Sequence, residues 1–445
     1  MKFCLVLVCL LTGVRAEIPF PHDAPQPMSP EETVTSYDVP EGFRLELAAS
    51  EPLIQSPSGV CWDAAGHLYV SELHGYNLEG QLDIESLNQT GKLDVEVRRV
   101  QAEDKFKKAA LSGTYGVIKR LDDLDGDGRM DRATVFASGL PPAYGMVAAR
   151  GGIIVACAPD IVFLADRDED GKAEHREVLF TGFGLGPLER GINAPQWTRD
   201  GWIAFGRGAD GGRISGPYLV KDVDLPRTDF RIRADGSAIE PITGGTHTFG
   251  FTYSSAGHRF VVSTTAPAIQ VAPIDYRYLI RNPMAASSGL THDITPDRRA
   301  YPRSEAHPWR KKRAEHADYF EYYRSRYGAS DSDPSGWFTS GCSPFVYRDT
   351  VISALQGQLL ACDPAQNFIF RGELNRSDDP KEVVYQLARH TNEQTKEFCA
   401  SSDAWSHPMS LSHGPDGAVW IVDYYREIIE DYSAIPRHLQ QQYGL

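Results

Sequence analysis

Residues 56–72 read SPSGVCWDAAGHLYVSE, the clearest copy of a pattern that repeats along the chain. A short apolar strand, a polar turn and a second strand rich in β-formers follow one another, as in a β-hairpin. Helical periodicity is largely confined to residues 307–327. The sequence therefore predicts an all-β chain built from hairpins. Further copies lie at 407–423, 193–208 and 246–264, with looser ones at 143–160 and 341–363.

Second strand pairs lie between these hairpins, for example GVIKRLDD (116–123) with RATVFASGL (132–140). A hairpin and a second pair make a four-stranded sheet, and six such units predict a six-bladed β-propeller. The last unit lacks a clear fourth strand, whereas residues 41–50 (EGFRLELAAS) form a spare strand at the front. We expect this strand to close the ring by pairing into the last blade, which would hide an open sheet edge.

The N-terminus has the features of a secretory signal. Lys2 is followed by an apolar run and by the small-residue cleavage site Val14-Arg15-Ala16. Residues 1–16 are therefore predicted to be a signal peptide, 17–36 a flexible leader rich in Pro and Glu, and 37–445 the propeller. The remaining chain has no stretch that would span a membrane. We expect an exported protein, either periplasmic or secreted.

The net charge of the 445-residue chain is −15. This charge argues against a nucleic-acid backbone or an anionic membrane as the main partner.

Two acidic turns have the carboxylate spacing of a calcium loop. Both join the third strand of a predicted blade to its fourth, so both should lie on one face of the propeller. The sequence predicts structural calcium here, although ordinary Asp/Gly turns would have the same composition. The predicted ligands are Asp123, Asp125, Asp127 and Asp131 in one turn and Asp166, Asp168, Asp170 and Glu174 in the other.

The opposite face should carry a ring of titratable groups around a central funnel, because first strands begin there and second strands end there. Such a ring could orient a polar ligand or hold a general base. Alternatively, its members are strand-end residues that solvate a rim. The starts contribute Tyr144, Asn193, His247 and His407, and the ends contribute Glu72, His74, Asp160, Arg207, Asp210, Arg213, Asp363, Asp423 and Arg426. Two long insertions, about 73–112 and 268–336, are predicted on the same face and are candidate lids.

Five cysteines remain after removal of the signal peptide. Cys342 and Cys362 lie on the two strands of one hairpin, each about ten residues from its turn, so they should face each other across the ladder. An exported protein can form disulfides, and the sequence predicts one between these two residues.

Several long motifs resemble a known family. They include DLDGDGRMDRATVFASGL (123–140), GWFTSGCSPFVYRD (336–349) and SSDAWSHPMSLSHGPDGAVWIVD (401–423). From about residue 38 onward the chain resembles the N-terminal propeller of the membrane-bound dehydrogenase family of planctomycetes and verrucomicrobia. That propeller is similar to quinoprotein glucose and sorbosone dehydrogenases, which bind pyrroloquinoline quinone and calcium.

The resemblance implies oxidation of a sugar or related polyol in the funnel. His247 or His74 would then act as the base, with Asp423 a further catalytic candidate. Cofactor contacts would come from Arg207, Arg213, Arg426 and Asn193, and substrate contacts from Glu72, Tyr144, Asp160, Asp210, Asp363 and His407. The chain has no Cys-x-x-Cys-His haem motif, so electrons would pass to a separate acceptor such as a cytochrome. Where relatives usually carry Gln-His-Arg, this chain reads PLERGIN (187–193).

Two other functions remain open from the sequence. One is a non-catalytic propeller that binds a glycan or a protein. The other is a metal-dependent lactonase or lyase that uses Glu72, Asp160 and Asp423.

Overall fold

A computed structural model describes residues 23–74, 113–184, 191–207, 211–282, 284, 290–315, 321, 324–325, 334–379 and 384–429. The fold is an all-β propeller with five antiparallel sheets of four or more strands as its blades. The predicted signal peptide and most of the insertion predicted at 73–112 lie outside the described residues. No helix in the described part of the chain has the length and apolar character needed to cross a bilayer.

The N-terminal segment is a helix followed by a short strand, α1 (Pro30–Ser36) and β1 (Tyr37–Asp38). Ser29 and Glu32 cap the helix reciprocally: the Ser29 side chain accepts from the N–H of Glu32, and the Glu32 carboxylate accepts from the N–H of Ser29. Thr33 Oγ1 donates to Asp403 Oδ2 at 2.8 Å, which ties the helix to the rest of the fold. The prediction of a flexible leader therefore needs correction at residues 30–36.

Blade one has four strands and blade two has six. Blade one contains β2 (Pro57–Trp62), β3 (Leu68–Glu72), β4 (Gly116–Asp122) and β5 (Arg132–Leu140). Blade two contains β6 (Met146–Ala149), β7 (Gly152–Cys157), β8 (Asp160–Ala165), β9 (His175–Phe183), β12 (Gly212–Ser215) and β13 (Val223–Leu225).

Blades three to five complete the set. Blade three contains β10 (Asn193–Trp197), β11 (Ile203–Gly206), β14 (Phe230–Ile232) and β15 (Ile239–Pro241). Blade four contains β16 (Phe251–Tyr253), β17 (Arg259–Ser263), β18 (Ala266–Val271) and β19 (Thr291–Asp293). Blade five contains β1, β20 (Cys342–Val346), β21 (Leu359–Asp363), β22 (Phe368–Arg376), β23 (Tyr385–Arg389) and β24 (Cys399–Ser401).

The predicted count of six blades is wrong. The sixth unit is a two-stranded hairpin in the described residues, β25 (Pro408–His413) paired with β26 (Val419–Asp423). This hairpin contacts blade five on one side and blade one on the other. Trp420 of β26 packs edge-on against Trp62 of β2, with 5.0 Å between ring centroids.

Residues 41–50 do not form the predicted closing strand. They have no strand structure, and the carbonyl of Ala48 accepts from the N–H of Met130 in blade one at 2.7 Å. The N-terminal strand that does pair is β1, which joins β24 in blade five. Phe43 still turns inward and packs edge-on against Phe398 at 5.1 Å. The segment thus packs a partly buried side chain against blade five without pairing into a sheet.

The insertion predicted at 268–336 has the wrong bounds, because it includes most of β18 and all of β19. The chain between these strands contains α2 (Tyr276–Leu279), and the link from β19 to blade five contains α3 (Pro308–Glu315). The first connection joins a third strand to a fourth and therefore lies on the face opposite the funnel.

Aromatic stacking joins neighbouring blades. Phe230 of blade three lies between Phe183 and Phe205, with ring centroids 5.0 and 5.1 Å away. All three rings are buried. Each buried phenylalanine of this kind stabilises the fold by about 1.5–3 kcal/mol.

Cys342 and Cys362 are directly opposed across β20 and β21, as the hairpin register predicted. The predicted disulfide is not formed: these two residues are buried free thiols, as are Cys61, Cys157 and Cys399. Cys342 Sγ donates to the carbonyl of Met409 at 3.4 Å. Burial raises the pKa of Cys362 well above its usual value. The thiolate, which is the reactive form in disulfide exchange, is therefore suppressed.

Candidate active site at the funnel mouth

The axis of the propeller is filled by an apolar cluster on the funnel side. Leu73, Tyr144 and Tyr424 are buried together, with Phe249 and Met409 packed against them. These residues come from different blades and from the β25–β26 hairpin, so they can meet only near the axis. Tyr424 also donates its hydroxyl to the carbonyl of Leu73 at 3.0 Å. The predicted substrate contact Tyr144 is thus part of the packing that closes the funnel floor.

Three predicted funnel carboxylates share one arrangement. Each lies at the end of a second strand and accepts main-chain N–H groups from the segment that leads into the first strand of its own sheet. Glu72 Oε1 accepts from Gln55 at 2.7 Å, and Asp423 Oδ1 accepts from His407 at 2.5 Å. Asp363 Oδ2 accepts from Thr339 at 2.9 Å and from Ser340 at 3.3 Å. These carboxylates satisfy buried donors and hold the sheets in register.

Asn193, predicted as a cofactor contact, has the same kind of role. It is fully buried, and its Oδ1 accepts from the N–H of Gly250 at 3.0 Å. Its Nδ2 donates to the carbonyls of Gly191 and Thr248. The whole amide is therefore used in joining blade three to blade four.

The titration of Asp423 should make the free energy of unfolding depend on pH. Burial raises its pKa to about 6, although bonds from Ser406 and His407 oppose the rise. Between pH 4 and 6 the folded state therefore keeps a proton that the unfolded state loses, and stability falls as the pH rises through this range. Allowing for the partial exposure of Asp423, the free energy of unfolding should fall by roughly 1–2 kcal/mol between pH 4 and 7, relative to an Asp423→Asn variant. Urea titrations of both proteins across this range measure the difference, and parallel pH profiles would contradict the assignment.

Glu72 and His74 form a hydrogen-bonded dyad at the funnel mouth. His74 Nε2 lies 2.7 Å from Glu72 Oε2, and the side chain of His74 is 29% exposed whereas that of Glu72 is 1% exposed. Lys119 Nζ contacts the other carboxylate oxygen at 2.8 Å. Burial alone would raise the pKa of Glu72, but hydrogen bonds from His74, Lys119 and Gln55 outweigh it and lower the pKa.

The dyad fixes the tautomer of His74. Since Nε2 faces a carboxylate, it carries the proton, and Nδ1 of the neutral ring is then the acceptor. Nδ1 has no hydrogen-bond partner among the described residues. Among the described residues, Nδ1 is therefore left to act as a base.

The other predicted histidines are placed differently. His407 is buried, with Nδ1 2.6 Å from the carbonyl of Pro364 and Nε2 2.8 Å from the carbonyl of Arg426. Both of its ring nitrogens thus face the protein rather than the funnel. His247 is exposed, and its main-chain N–H donates to the carbonyl of Val262.

Two of the three predicted cofactor arginines lie on the funnel face. Arg207 donates to the carbonyls of Thr246 and Arg227. Arg426 donates to Ser56 Oγ at 3.1 Å and stacks over the ring of Tyr424. Within the described part of the chain, no carboxylate forms an ion pair with either guanidinium.

The third arginine does not join this group. Arg213 is on the outer hairpin of blade two, 71% exposed and paired with Asp222 at 3.0 Å. Asp160 begins β8 opposite Cys157 and Thr181. Asp210 lies outside the described residues.

The two acidic turns have the same structure. Asp123 accepts from the N–H groups of Gly126 and Gly128, and Asp166 accepts from those of Glu169 and Gly171. One carboxylate oxygen from each of three residues lies within 4.8 Å of the others in both turns. These groups are Asp123, Asp125 and Asp131 in the first turn and Asp166, Asp168 and Glu174 in the second. The predicted ligands Asp127 and Asp170 instead accept from the N–H groups of Arg129 and Lys172.

Residues 29–445 match a family model described as "Domain of unknown function (DUF7133)". The chain belongs to this family. No curated protein sequence matches this DUF7133 chain.

Solved structures with a similar course of the chain include two dehydrogenases and a lactonase. The pyrroloquinoline-quinone-bound aldose sugar dehydrogenase of Streptomyces coelicolor is 13% identical, with 87% of this chain and 91% of that chain covered and a TM-score of 0.42. A Thermus thermophilus protein described as an oxidoreductase (glucose dehydrogenase) is 11% identical, with 87% and 95% covered and a TM-score of 0.46. A gluconolactonase of Xanthomonas campestris is 12% identical, with 83% of each chain covered and a TM-score of 0.36.

Two charged residues that contact predicted funnel residues were not predicted from the sequence. Lys119 neutralises Glu72 from β4, and it stands out in the sequence as the first charged residue of the strand GVIKRLD. Asp229 is fully buried and accepts from the N–H groups of Arg207 at 2.9 Å and Thr246 at 2.7 Å. Only its position just before the apolar start of β14 could have marked it.

Proposed function

We propose that this protein is an exported, quinoprotein-like dehydrogenase that oxidises a sugar or related polyol at the funnel mouth. The observation that carries this proposal is the Glu72–His74 dyad, with a buried carboxylate 2.7 Å from a partly exposed imidazole. The resemblance of the sequence to quinoprotein dehydrogenase propellers supports it.

The chemistry expected of the dyad is proton removal from a hydroxyl group. His74 Nδ1 accepts the proton of the substrate hydroxyl while the carbinol carbon loses hydride, so an alcohol becomes a carbonyl compound. Glu72 stabilises the imidazolium that forms and keeps Nδ1 directed at the substrate. A bound quinone would take up the hydride, and a separate carrier such as a cytochrome would then take the electrons.

The funnel arginines fit a carboxylate-bearing quinone in part. Arg207 and Arg426 would hold its carboxylates, because among the described residues neither has an acidic partner and guanidinium groups bind carboxylates strongly. Arg213 is excluded from this role by its pairing with Asp222 on the outer hairpin. The set of quinone contacts proposed from the sequence is thus reduced to two arginines.

Quinone binding can be measured directly. Titration of the purified protein with pyrroloquinoline quinone, followed by quenching of tryptophan fluorescence, should give saturable binding. Arg426→Gln should weaken it about 10- to 100-fold, since a hydrogen bond to a charged group contributes about 1.5–3 kcal/mol. Arg213→Gln is the matched control and should bind as the wild type does. Equal binding by both variants would remove Arg426 from the site.

The apolar cluster around Tyr144 and Tyr424 favours one rival function. A closed funnel floor suits a propeller that binds a glycan or a protein without catalysis. The metal-dependent lactonase or lyase fits less well. Glu72 and Asp423 are bonded within their own sheets, and neither they nor Asp160 belongs to a metal-type cluster among the described residues.

We also propose that calcium binds in the two acidic turns and stabilises the fold. A ligand at a hundredfold excess over its dissociation constant stabilises the native state by about 2.7 kcal/mol. EDTA should therefore lower the melting temperature of the wild-type protein, and an Asp125→Asn/Asp168→Asn variant should lose this response. Asp416→Asn, in a plain Asp–Gly turn, should retain it. A melting temperature that does not depend on calcium in the wild type would contradict the proposal.

A further inference from the structure

A groove of about 260 Å³ lies between blades three and four. Its walls come from β14 and β15 on one side, and from β16, the end of β18 and the chain at 272–280 on the other. The turns at Thr198 and at Gly257, which join first strands to second strands, also line it. It therefore opens away from the funnel and shares no residue with the Glu72–His74 dyad.

Each arginine in this groove already has an acidic partner. Arg231 donates to Glu240 Oε1 at 2.7 Å and to Asp200 Oδ2 at 2.7 Å. Arg277 pairs with Asp275 at 2.9 Å. An anionic ligand would be attracted by the guanidinium groups but repelled by these carboxylates. A cationic ligand would be attracted by the carboxylates but repelled by the guanidinium groups. Neither would gain much Coulomb energy.

Hydrogen-bonding capacity nevertheless remains on the groove wall. Arg259 supplies little of it, because it is 7% exposed, its Nη1 lies 3.2 Å from Asp229 Oδ2 and its Nη2 donates to the carbonyl of Thr243. Tyr253 packs edge-on against Phe251 and does supply it, since its hydroxyl has no hydrogen-bond partner among the described residues. Buried donors of this kind are normally satisfied by solvent or by a ligand.

His258 adds a second hydrogen-bonding group to the groove wall. Its Nδ1 lies 2.8 Å from the hydroxyl of Tyr385, which leaves the other ring nitrogen for the groove. Burial and the nearby Arg376 lower the pKa of this imidazole. The apolar side chains of the wall include Ile242, Val271 and Ile280.

We propose that this groove binds a neutral polyhydroxylated ligand of about monosaccharide size. The hydroxyl groups of such a ligand can pair with the Tyr253 hydroxyl, with the second ring nitrogen of His258 and with the exposed carboxylate of Glu240. Its C–H faces can lie against the aliphatic wall. The volume falls just below the range of about 300–1,000 Å³ that is typical of drug-sized ligands, which fits one sugar ring.

Ligand-observed saturation-transfer NMR and calorimetry with named probes test this site. The neutral probes are D-glucose, D-galactose and myo-inositol, and the anionic probe is D-glucose 6-phosphate. At least one neutral probe should bind, and more tightly than the phosphate. Tyr253→Phe removes only a hydroxyl and should weaken that binding about tenfold, which corresponds to the loss of one hydrogen bond.

Two controls separate this groove from the funnel. Tyr278→Phe changes an exposed tyrosine that does not line the groove and should leave binding unchanged. His74→Ala should also bind the probe as the wild type does, whatever its effect on oxidation. The proposal is overturned if no neutral probe binds, if the phosphate binds more tightly, or if Tyr253→Phe binds like the wild type.

Discussion

Replacement of His74 by alanine should lower the rate of substrate oxidation about 10²- to 10⁴-fold, the usual contribution of a positioned general base. The side chain is partly exposed, and its hydrogen bond within the described part of the chain is to Glu72, so its removal should leave the melting temperature within a few degrees. Steady-state rates of dye reduction measure the effect. His175→Ala, an exposed histidine on β9, is the matched control and should retain the wild-type rate.

Glu72→Gln distinguishes the orienting role from the proton transfer itself. A glutamine can still accept from the main chain at Gln55, but it no longer stabilises a charged imidazole. The turnover number should therefore fall while the Michaelis constant changes little, because the lost interaction acts in the transition state. Wild-type turnover in the His74→Ala variant would remove the dyad from the reaction.

Replacement of Asp229 by alanine should destabilise the fold by about 3–5 kcal/mol, the usual cost of leaving a buried charge without its partner. Asp229 is fully buried, and Arg259, its partner at 3.2 Å, is 7% exposed. The same carboxylate accepts from Arg207, at the end of β11, and from both the N–H and the hydroxyl of Thr246, on the link into blade four. The variant therefore loses the junction between two blades as well as an ion pair.

Guanidinium chloride titration with tryptophan fluorescence measures this effect. Asp224→Ala, an exposed aspartate on β13, should change the free energy of unfolding by less than about 0.5 kcal/mol, as surface substitutions usually do. If Asp229→Ala unfolds at the same denaturant concentration as the wild type, the proposed junction between blades three and four is not a source of stability.

Features of the fold that depend on residues close together in the sequence could be predicted. The hairpin at 56–72 forms as β2 and β3, because its apolar strands and the Asp- and Gly-containing turn between them are local signals. The acidic turns could be predicted for the same reason, since the spacing of Asp123, Asp125 and Asp131 places their oxygens together.

Non-local strand pairing could not be predicted in this way. β12 and β13 are short and partly polar, yet they cross from blade three to the outer edge of blade two and pair with β9. The strand that follows the N-terminal helix pairs into blade five rather than the last unit. In each case the partner strand is set by which sheet edge lies nearby in space, and a local sequence pattern does not indicate which edge that is.

The candidate site was predictable as a face but not as a set of contacts. The sequence placed Glu72, His74 and Asp363 near the funnel, because strand ends meet there. It did not indicate that Asp363 bonds the main chain at Thr339 while Glu72 orients an imidazole. Glu72 differs from Asp363 because His74 follows it by two residues and because Lys119 contacts it from the neighbouring strand.

Reconstitution tests the proposed active site most directly. The purified wild-type protein and His74→Ala would each be loaded with pyrroloquinoline quinone and Ca²⁺, and dye reduction would be followed with a panel of aldoses and polyols. We expect both proteins to bind the quinone alike, and only the wild type to reduce the dye at a rate that depends on substrate. Failure of the wild type to bind the quinone, absence of substrate-dependent reduction, or equal rates in the two proteins would contradict the account.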